Sequence, residues 1–426
     1  MRNVLLKLWD SIQTALRKPR WWTASLLRRF LGRTTFIAIT GSNGKSTATR
    51  ILAAILSSHA PTRWTRLNRN AGSGITETIA FCNPWKTRFA LFEIGAGKPG
   101  QIRKLAGLVR PHISIVLSVF LEHRSTLRTL EGVAREKAEL LSMLQRDGVA
   151  FVNADDPHVA AMAVPPGRRR ISFGSSPDND IYYENVRSAW PQMLRFTAVV
   201  HGQRQEIRTR LLGSHWVGSI LACIAVAHYL GISLEEIARV IERVPPYPGR
   251  MQVVRLPSGV IVIRDEFKGS SHTVAAAFEE LRKATARRKI LLFCDLADSP
   301  RTYSYRLGKL GASAAELFDY AIFIGEKAHH GVQGARKGGL PESRALAFPD
   351  YLTAVEFLKP LLQPGDVVLL KADRNKQLTR LFFSLLGTVK CTIPSCPKNM
   401  VCDDCREHRN ADLVLLANER LTAVAN

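Results

Sequence analysis

The residues best suited to chemistry form a short glycine-rich loop between a β-rich stretch and a helical one. Residues 41–47 follow the apolar run Thr35–Thr40 and precede the helical run Ala48–Leu56. Glycines let the backbone wrap a phosphate, and the amides at a helix N-terminus carry the positive end of the helix dipole. The lysine would reach the outer phosphates of a nucleotide, and the serine after it would bind Mg²⁺. The loop therefore predicts an ATP and Mg²⁺ site formed by Gly41, Ser42, Asn43, Gly44, Lys45, Ser46 and Thr47.

Strands and helices that would position this loop alternate on both sides of a proline-rich linker at residues 245–249. The alternation predicts an α/β fold: a P-loop-type central domain with a mostly parallel sheet over residues 34–246, and a smaller Rossmann-like domain over residues 247–388. Residues 389–426 form a cysteine-containing tail. The main strand and helix candidates are Phe89–Ile94, Ile113–Val119, Leu130–Leu144, Gly148–Asn153, Val260–Asp265, Ala275–Lys283, Lys289–Cys294, Ala321–Ile324 and Val367–Lys371.

Composition narrows the class of protein. The 426 residues are 46% hydrophobic and 23% charged, which is typical of a globular protein with more than one core. A run of 18 or more apolar residues and a signal peptide are both lacking, so we expect a cytoplasmic protein. The net charge of +24 would attract anionic partners. The basic residues are scattered and match no nucleic-acid-binding motif, so we expect no specific nucleic-acid partner.

The first 33 residues form a basic amphipathic segment. Apolar side chains recur at helical spacing between Val4 and Leu16, and arginines surround Trp21 and Trp22. Such a helix suits the headgroup layer of an anionic bilayer, here the inner face of the membrane. Packing on the body of the protein or on a partner chain explains the pattern equally well, because amphipathicity alone does not separate these cases.

The glycine loop has two residues between its glycines, where the common Walker A motif has four. This short form, preceded by Thr40, resembles the Mur ligases and the related folylpolyglutamate and cyanophycin synthetases. The segment from Phe92 to Ile102 resembles the family member that adds D-alanyl-D-alanine to a muramyl tripeptide. Leu117–His123 resembles a segment that ends in a metal-binding histidine. Lys137, fourteen residues later, matches the lysine that many Mur ligases carry as a carbamate.

Further segments continue this resemblance in the same order as in the family, so that it covers residues 34–385. One resembles the loop that meets the acceptor substrate, one the N-A-D-D segment, and one the G-R that closes the central domain. The last two stand where the family has its nucleotide-contacting Asp and a K-G-S-R-like segment. In that order they are Asn68–Thr76, Phe151–Pro157, Pro248–Met251, Ile263–Asp265 and Leu370–Arg374.

The resemblance implies an ATP-dependent ligase that activates a carboxylate as an acyl phosphate and joins it to an amino acid or peptide in cell-wall or related synthesis. In this scheme Ser46 and Glu93 would hold one Mg²⁺. His123 would help to hold a second, with a carbamate on Lys137 as an anionic ligand. Arg250 and Asp265 would contact the nucleotide. For Glu93 and Lys137 an ordinary surface position remains the alternative, and for His123 a hydrogen-bonded histidine at the start of a helix.

Three departures from the family pattern leave other functions open. The segment Gly213–Ser219 lacks both expected asparagines, and Asp265–His272 lacks the asparagines and the proline. Only about 33 residues precede the nucleotide domain, so we expect no N-terminal UDP-sugar domain. The alternatives are a polymer synthetase of the cyanophycin or polyglutamate type, an ATP-binding partner subunit that does not ligate, and a basic scaffold. Trp216 could stack on the adenine in place of the missing asparagines.

The cysteines fall into two groups. Cys82, Cys223 and Cys294 stand alone in apolar surroundings, which is typical of small buried side chains. The other four crowd near the end of the chain, and such thiolates can complete a tetrahedral zinc site. Free thiols in a loose tail are the alternative. This group comprises Cys391, Cys396, Cys402 and Cys405.

Overall fold

The computed structural model describes residues 21–66, 69–121, 126–296, 303–376, 378–391, 402–405 and 411–425. Three of the sequence predictions lie outside these ranges: the helix within residues 1–20, the role of His123 and the contribution of Cys396. Within these ranges, every helix is too short or too polar to cross a membrane.

The chain divides into two compact units. The first unit comprises Met1–Val186, Arg195–Thr209 and Trp216–Val244. The second comprises Arg187–Leu194, Arg210–His215 and Pro245–Asn426.

The first sheet has nine strands in the order β2-β3-β1-β4-β5-β6-β7-β8-β9. Strands β1 and β3–β5 are buried almost throughout, as their apolar runs predict, and they pair in parallel. The mostly parallel sheet is therefore confirmed. Strands β8 and β9 pair antiparallel and were not predicted. The bounds are β1 Thr35–Thr40, β2 Thr62–Trp64, β3 Phe89–Glu93, β4 Ile113–Val116, β5 Val149–Asn153, β6 Arg169–Gly174, β7 Ile181–Ala189, β8 Gln192–Val200 and β9 Gln203–Arg208.

Helices accompany this sheet in sequence. The first, α1, packs against α3 and α4 through the buried side chains Ala24, Leu27 and Leu31. Packing on the body of the protein therefore holds for this part of the amphipathic segment. The bounds are α1 Trp21–Arg29, α2 Lys45–His59, α3 Gly72–Ala80, α4 Gln101–Val109, α5 Leu130–Ser142, α6 Pro157–Ala160, α7 Val217–Tyr229 and α8 Leu234–Arg243.

The second sheet has six strands in the order β10-β11-β15-β12-β13-β14. All neighbours are parallel except β10, which runs antiparallel to β11. The strands are β10 Gln252–Arg255, β11 Ile261–Asp265, β12 Lys289–Cys294, β13 Tyr320–Ile324, β14 Ala345–Phe348 and β15 Val367–Ala372. The helices are α9 Ser271–Lys283, α10 Tyr303–Ala315, α11 Ala328–Lys337, α12 Tyr351–Leu361, α13 Thr379–Leu386 and α14 Ala411–Ala425.

The tail packs within the second unit where the structure describes it. Helix α14 lies against β10, and Ala417 is buried in the core. Upstream of α14, Asp403 forms two hydrogen bonds of 2.7 Å with the buried guanidinium of Arg264, whose other partner is Glu266. The idea of a loose tail is therefore wrong for these residues, because a buried ion pair and an apolar helix face both attach them.

Candidate functional site

The glycine loop leaves the carboxyl end of β1 and runs into α2. Gly44 is the residue before the helix and has a φ of 82°, in the left-handed region that favours glycine. A Cβ at this position would lie 2.1 Å from Ser219 Oγ on α7. The glycine is therefore required both by the backbone angle and by the close approach of a second helix.

The segment after β4 fixes the loop backbone. Ser42 N donates to Ser118 O at 2.8 Å, and Ser42 Oγ accepts from Phe120 N at 2.8 Å. Asn43 N donates to Ser118 Oγ at 3.1 Å. Lys45 Nζ donates to the carbonyls of Gly41 and Ser42, so its ammonium lies over the loop. The loop thus presents one cation above a backbone that is already ordered.

A carboxylate and a hydroxyl meet beside the loop. Glu93 ends β3, next to β1 in the sheet, and its side chain is only 2% exposed. Ser46 Oγ lies 3.3 Å from Glu93 Oε1, which also accepts from Asn70 Nδ2 at 2.9 Å. These oxygens are the donor types that Mg²⁺ prefers. A surface position for Glu93 is excluded by its burial.

Sequence reasoning did not identify Asn70 as a partner of Glu93. Its side chain fills the space beside Gly95, where an added Cβ would lie 3.0 Å from Asn70 Cγ. A glycine two residues after a strand that ends in a functional carboxylate is the signal that could have indicated such a close approach.

Lys137 and Glu136 lie side by side on α5, and both are buried. Lys137 is 2% exposed, so the alternative of a solvated helix face is wrong. Glu136 accepts hydrogen bonds of 2.7 Å from Gly100 N and from Ile102 N, at the start of α4. Glu136 therefore caps a neighbouring helix, and this role was missed because it joins residues far apart in sequence.

The segment after β5 supports the loop that leads toward residues 122–125. Asp156 accepts from Val119 N at 2.6 Å and caps α6 through Val159 N at 3.1 Å. Asn153 Nδ2 donates to Leu117 O at 2.8 Å. In the described residues these side chains act on backbone, which gives the N-A-D-D segment a positioning role.

Two predicted nucleotide-contacting residues lie in the second unit. The guanidinium of Arg250 lies 4.2 Å from the ring centre of Phe267. Asp265 Oδ2 is 2.5 Å from Lys371 Nζ, which also donates to Lys268 O at 2.7 Å. Burial lowers the pKa of Lys371, and the Asp265 carboxylate opposes this change. Asp265 thus orients a buried lysine at the ends of β11 and β15.

In the segment Gly213–Ser219, Trp216 and Ser219 stand where the family has asparagines. Two other residues of the segment, Gly213 and Ser214, bond to a buried network around Glu280. Ser214 donates to Glu280 Oε1 from both N and Oγ, at 2.9 and 2.6 Å. Ser188 Oγ lies 3.0 Å from Glu280 Oε2 and accepts from Gly213 N at 2.9 Å. Trp216 is buried, with 6% of its surface exposed, so little of the indole is left for an adenine to stack on.

The cysteine predictions have different outcomes. The three isolated cysteines are all buried, as expected: Cys82, Cys223 and Cys294. Burial raises the pKa of Cys402 to about 12, which keeps it a thiol in the absence of a metal. Across the described ranges, no three His, Cys, Asp or Glu side chains are grouped so as to hold a metal ion.

Comparison with known proteins matches both units to one family. Residues 39–227 match the Mur ligase middle domain, and residues 249–374 match the Mur ligase glutamate ligase domain. The chain is 30% identical over 352 residues to the UDP-N-acetylmuramoyl-tripeptide–D-alanyl-D-alanine ligase of Treponema pallidum (strain Nichols). That match covers 81% of this chain and 73% of the relative.

Solved structures agree with this match. A crystal structure of MurF from Acinetobacter baumannii superposes with a TM-score of 0.78 and 26% identity, covering 86% of this chain and 79% of that one. The fold is also that of the MurF ligase from Thermotoga maritima in complex with ADP, with a TM-score of 0.73 and 21% identity. In that case the match covers 84% of this chain and 81% of the other.

Proposed function

This chain belongs to the Mur ligase family and is an ATP-dependent, amide-forming ligase of cell-wall peptide synthesis, and we propose that residues 41–47 and Glu93 hold its ATP and Mg²⁺. The observation that carries the proposal is the approach of Ser46 Oγ to Glu93 Oε1, at 3.3 Å, directly beside the phosphate-binding loop. Hydroxyl and carboxylate oxygens fit a hard cation. A magnesium ion bound there would neutralise the charge that develops on the phosphates.

The reaction divides into two displacements. A carboxylate oxygen of one substrate attacks the γ-phosphorus of ATP, forming an acyl phosphate while ADP leaves. The amine of the second substrate then attacks the acyl carbon, and phosphate leaves. Lys45 and the amides before α2 would stabilise the negative charge that moves during the first step. The loop is suited to this because hydrogen bonds with Ser118 and Phe120 hold its backbone.

We propose that Lys137 is carried as a carbamate. Burying an ammonium is costly, whereas a buried carbamate could serve as an anionic ligand for a metal. Substitution of Lys137 by Ala should abolish phosphate release, and added acetate or propionate should restore part of it by replacing the anion. Lys137→Arg keeps a cation and should stay inactive. Equal activity of Lys137→Arg and the wild type would contradict the carbamate. His123 remains a predicted ligand for a second Mg²⁺.

We propose that Arg250 and Asp265, which both lie in the second unit, contribute to nucleotide binding. Arg250 would meet a phosphate or the ribose, and Asp265 would hold Lys371 in position. Replacing Arg250 by Ala should raise the KM for ATP more than it lowers kcat. Arg243→Ala provides a matched exposed control, and its KM should not change.

For the substrates, we propose a carboxylate on a muramyl peptide and the amine of a D-alanyl-D-alanine-like dipeptide, by analogy with the relative's name. We place the reaction in the cytoplasm, where ATP is available. The test measures phosphate release with muramoyl tripeptide and D-alanyl-D-alanine in wild type and Lys45→Ala. Release that requires both substrates and disappears in the variant supports the ligase. Release with glutamate or an amino-acid polymer would instead favour a polymer synthetase.

One observation keeps a second function in view. The segment Gly213–Ser219 lacks the family's asparagines, and Trp216 is buried. A chain that binds ATP without releasing phosphate would be a partner subunit, and co-purification with a second protein would then identify the complex.

We also propose a structural zinc ion held by the four tail cysteines, including Cys396. Cys402 and Cys405 lie in one turn, with Cys405 N donating to Cys402 O at 3.2 Å. Elemental analysis of the purified chain should find one zinc per protein, and the Cys402→Ser/Cys405→Ser variant should lose it. Zinc-free wild-type protein with reactive thiols would exclude the site.

A further inference from the structure

Helix α1 has apolar side chains on two opposite faces. One face, with Ala24 and Leu27, is buried against α3 and α4. The other presents Trp22, Leu26 and Phe30, which are 65, 47 and 63% exposed. Their spacing of four residues places them in one stripe along the helix. Exposing three large apolar side chains in one row to water is energetically unfavourable, and such a patch is typical of an interaction site.

Cations border this stripe, while acidic residues are missing from the local sequence. Arg29 and Arg33 are exposed beside Phe30. Between residues 11 and 76 the sequence holds eleven Lys or Arg and no Asp or Glu. Arg28 is turned inward, where it donates to Val109 O at 2.8 Å and anchors the helix to the body. The exposed stripe is therefore attached to the body of the protein, and the sequence around it has a large excess of positive charge.

A second element extends the same surface. The turn after α3 exposes Phe81 and Trp85, at 40 and 39%, together with Lys86. This turn meets the end of α1, since Arg88 Nη1 donates to Arg33 O at 3.2 Å and Thr34 Oγ1 donates to Thr87 O at 2.8 Å. Aromatic and basic residues thus come from two separate parts of the chain.

We propose that this docking face, formed by Trp22, Leu26, Phe30, Phe81 and Trp85 with the basic residues beside them, binds the surface of an anionic lipid bilayer. Tryptophan and phenylalanine suit the boundary between acyl chains and headgroups, while arginine and lysine suit anionic headgroups. A second copy of the chain is a poorer occupant. Symmetric pairing would bring two such basic faces together, and the sequence from residue 11 to 76 holds no Asp or Glu to compensate.

The face would keep the ligase at the membrane while the residues that bind ATP remain free to react. None of the five apolar side chains belongs to the proposed catalytic site. Membrane binding and ligation of substrates in solution should therefore separate cleanly in variants, and failure of the proposed catalytic function would leave the binding result unaffected.

The test is sedimentation of the full chain with vesicles, either of phosphatidylcholine alone or of equal parts phosphatidylcholine and phosphatidylglycerol. The wild type should bind the anionic vesicles and release them at high salt. The variant Trp22→Gln/Leu26→Gln/Phe30→Gln should bind at least ~30-fold more weakly. Arg29→Glu/Arg33→Glu should weaken binding on the order of 10-fold or more. Phosphate release with substrates in solution should stay unchanged in both.

Matched controls are Tyr305→Gln and Leu352→Gln, which remove exposed apolar side chains from helices of the second unit. They should bind vesicles as the wild type does. Thermal unfolding would check that the triple variant is folded, and the charge variant tests the face without changing its apolar residues. Wild-type protein that ignores anionic vesicles, or a triple variant that binds as tightly as the controls, would overturn the proposal. So would a wild-type dimer that the triple variant dissociates.

Discussion

Substituting Gly44 by Ala should damage the phosphate-binding loop in two separable ways. The first is conformational: a side chain at a φ of 82° costs about 1 kcal/mol or more. The second is steric, because the new Cβ would lie 2.1 Å from Ser219 Oγ. Relieving that contact forces the hydroxyl or the loop to move, at a typical cost of about 1–3 kcal/mol. We therefore expect a loss of about 3 kcal/mol in the free energy of unfolding.

Gly167 provides the control that isolates the first cost. Its φ is 76°, and a Cβ there would meet nothing within 4 Å. Gly167→Ala should lose only the conformational part, about 1 kcal/mol. Both variants are measured by urea unfolding. In Gly44→Ala/Ser219→Ala the Oγ contact is gone and the Cβ of residue 219 lies at 3.4 Å, an ordinary contact, so most of the steric cost should be recovered.

Catalytic activity is the second quantity to measure on the same variants. Displacing the loop by about 1 Å should lower kcat/KM for ATP on the order of 100-fold. Gly167→Ala should leave kcat/KM unchanged, because its glycine lies outside the site. Should Gly44→Ala be no less stable than Gly167→Ala and retain activity, the argument that Ser219 limits the space beside the loop would be refuted.

Three further outcomes follow from the contacts. Glu93→Gln keeps the shape of the side chain but removes its charge, so phosphate release should need far more Mg²⁺ and fall on the order of 100-fold, as a magnesium titration would show. Asp403→Asn leaves Arg264 without one of its two carboxylates and should lower the free energy of unfolding by about 3 kcal/mol in urea. Burial lowers the pKa of His112, whose Nδ1 accepts from Phe36 N at 2.8 Å. The contribution of His112 to stability is therefore full above a pH of about 6.5 and is lost as the pH falls. In His112→Gln, the free energy of unfolding measured in urea should decrease less between pH 7 and acidic pH than in the wild type.

Local patterns predicted the parts of the site that depend on neighbouring residues. The loop between β1 and α2 was identifiable because its glycines, its lysine and its serine are consecutive. Glu93 was identified through the resemblance of the segment Phe92–Ile102 to the family, and the structure places it at the end of β3, which pairs with β1.

Contacts between distant residues were beyond this reasoning. Asp403 reaches Arg264 across 139 positions, and nothing in the tail sequence marks an acidic residue as buried. The strands β7–β9 carry many polar side chains in alternation with apolar ones, and this weak pattern did not separate them from loops. Helical spacing in residues 1–33 indicated an amphipathic helix and left open whether it faces a membrane, the body of the protein or a partner chain, whereas α1 in the structure has apolar side chains on two faces.

The neighbouring residues Glu136 and Lys137 have different proposed roles, the first in stability and the second in the reaction. These two consecutive charged residues are both buried, and burying a charged side chain lowers the stability of the fold unless the charge is compensated. Glu136 is compensated by hydrogen bonds, because it accepts from Gly100 N and Ile102 N, and its role is structural. Glu136→Gln should lower the free energy of unfolding by about 1–2 kcal/mol in urea and leave kcat nearly unchanged. Lys137→Met, which fills a similar volume without charge, should preserve or raise stability and abolish phosphate release. If Lys137→Met destabilised the fold and retained activity, Lys137 would be a structural residue and the proposed carbamate would fall with it.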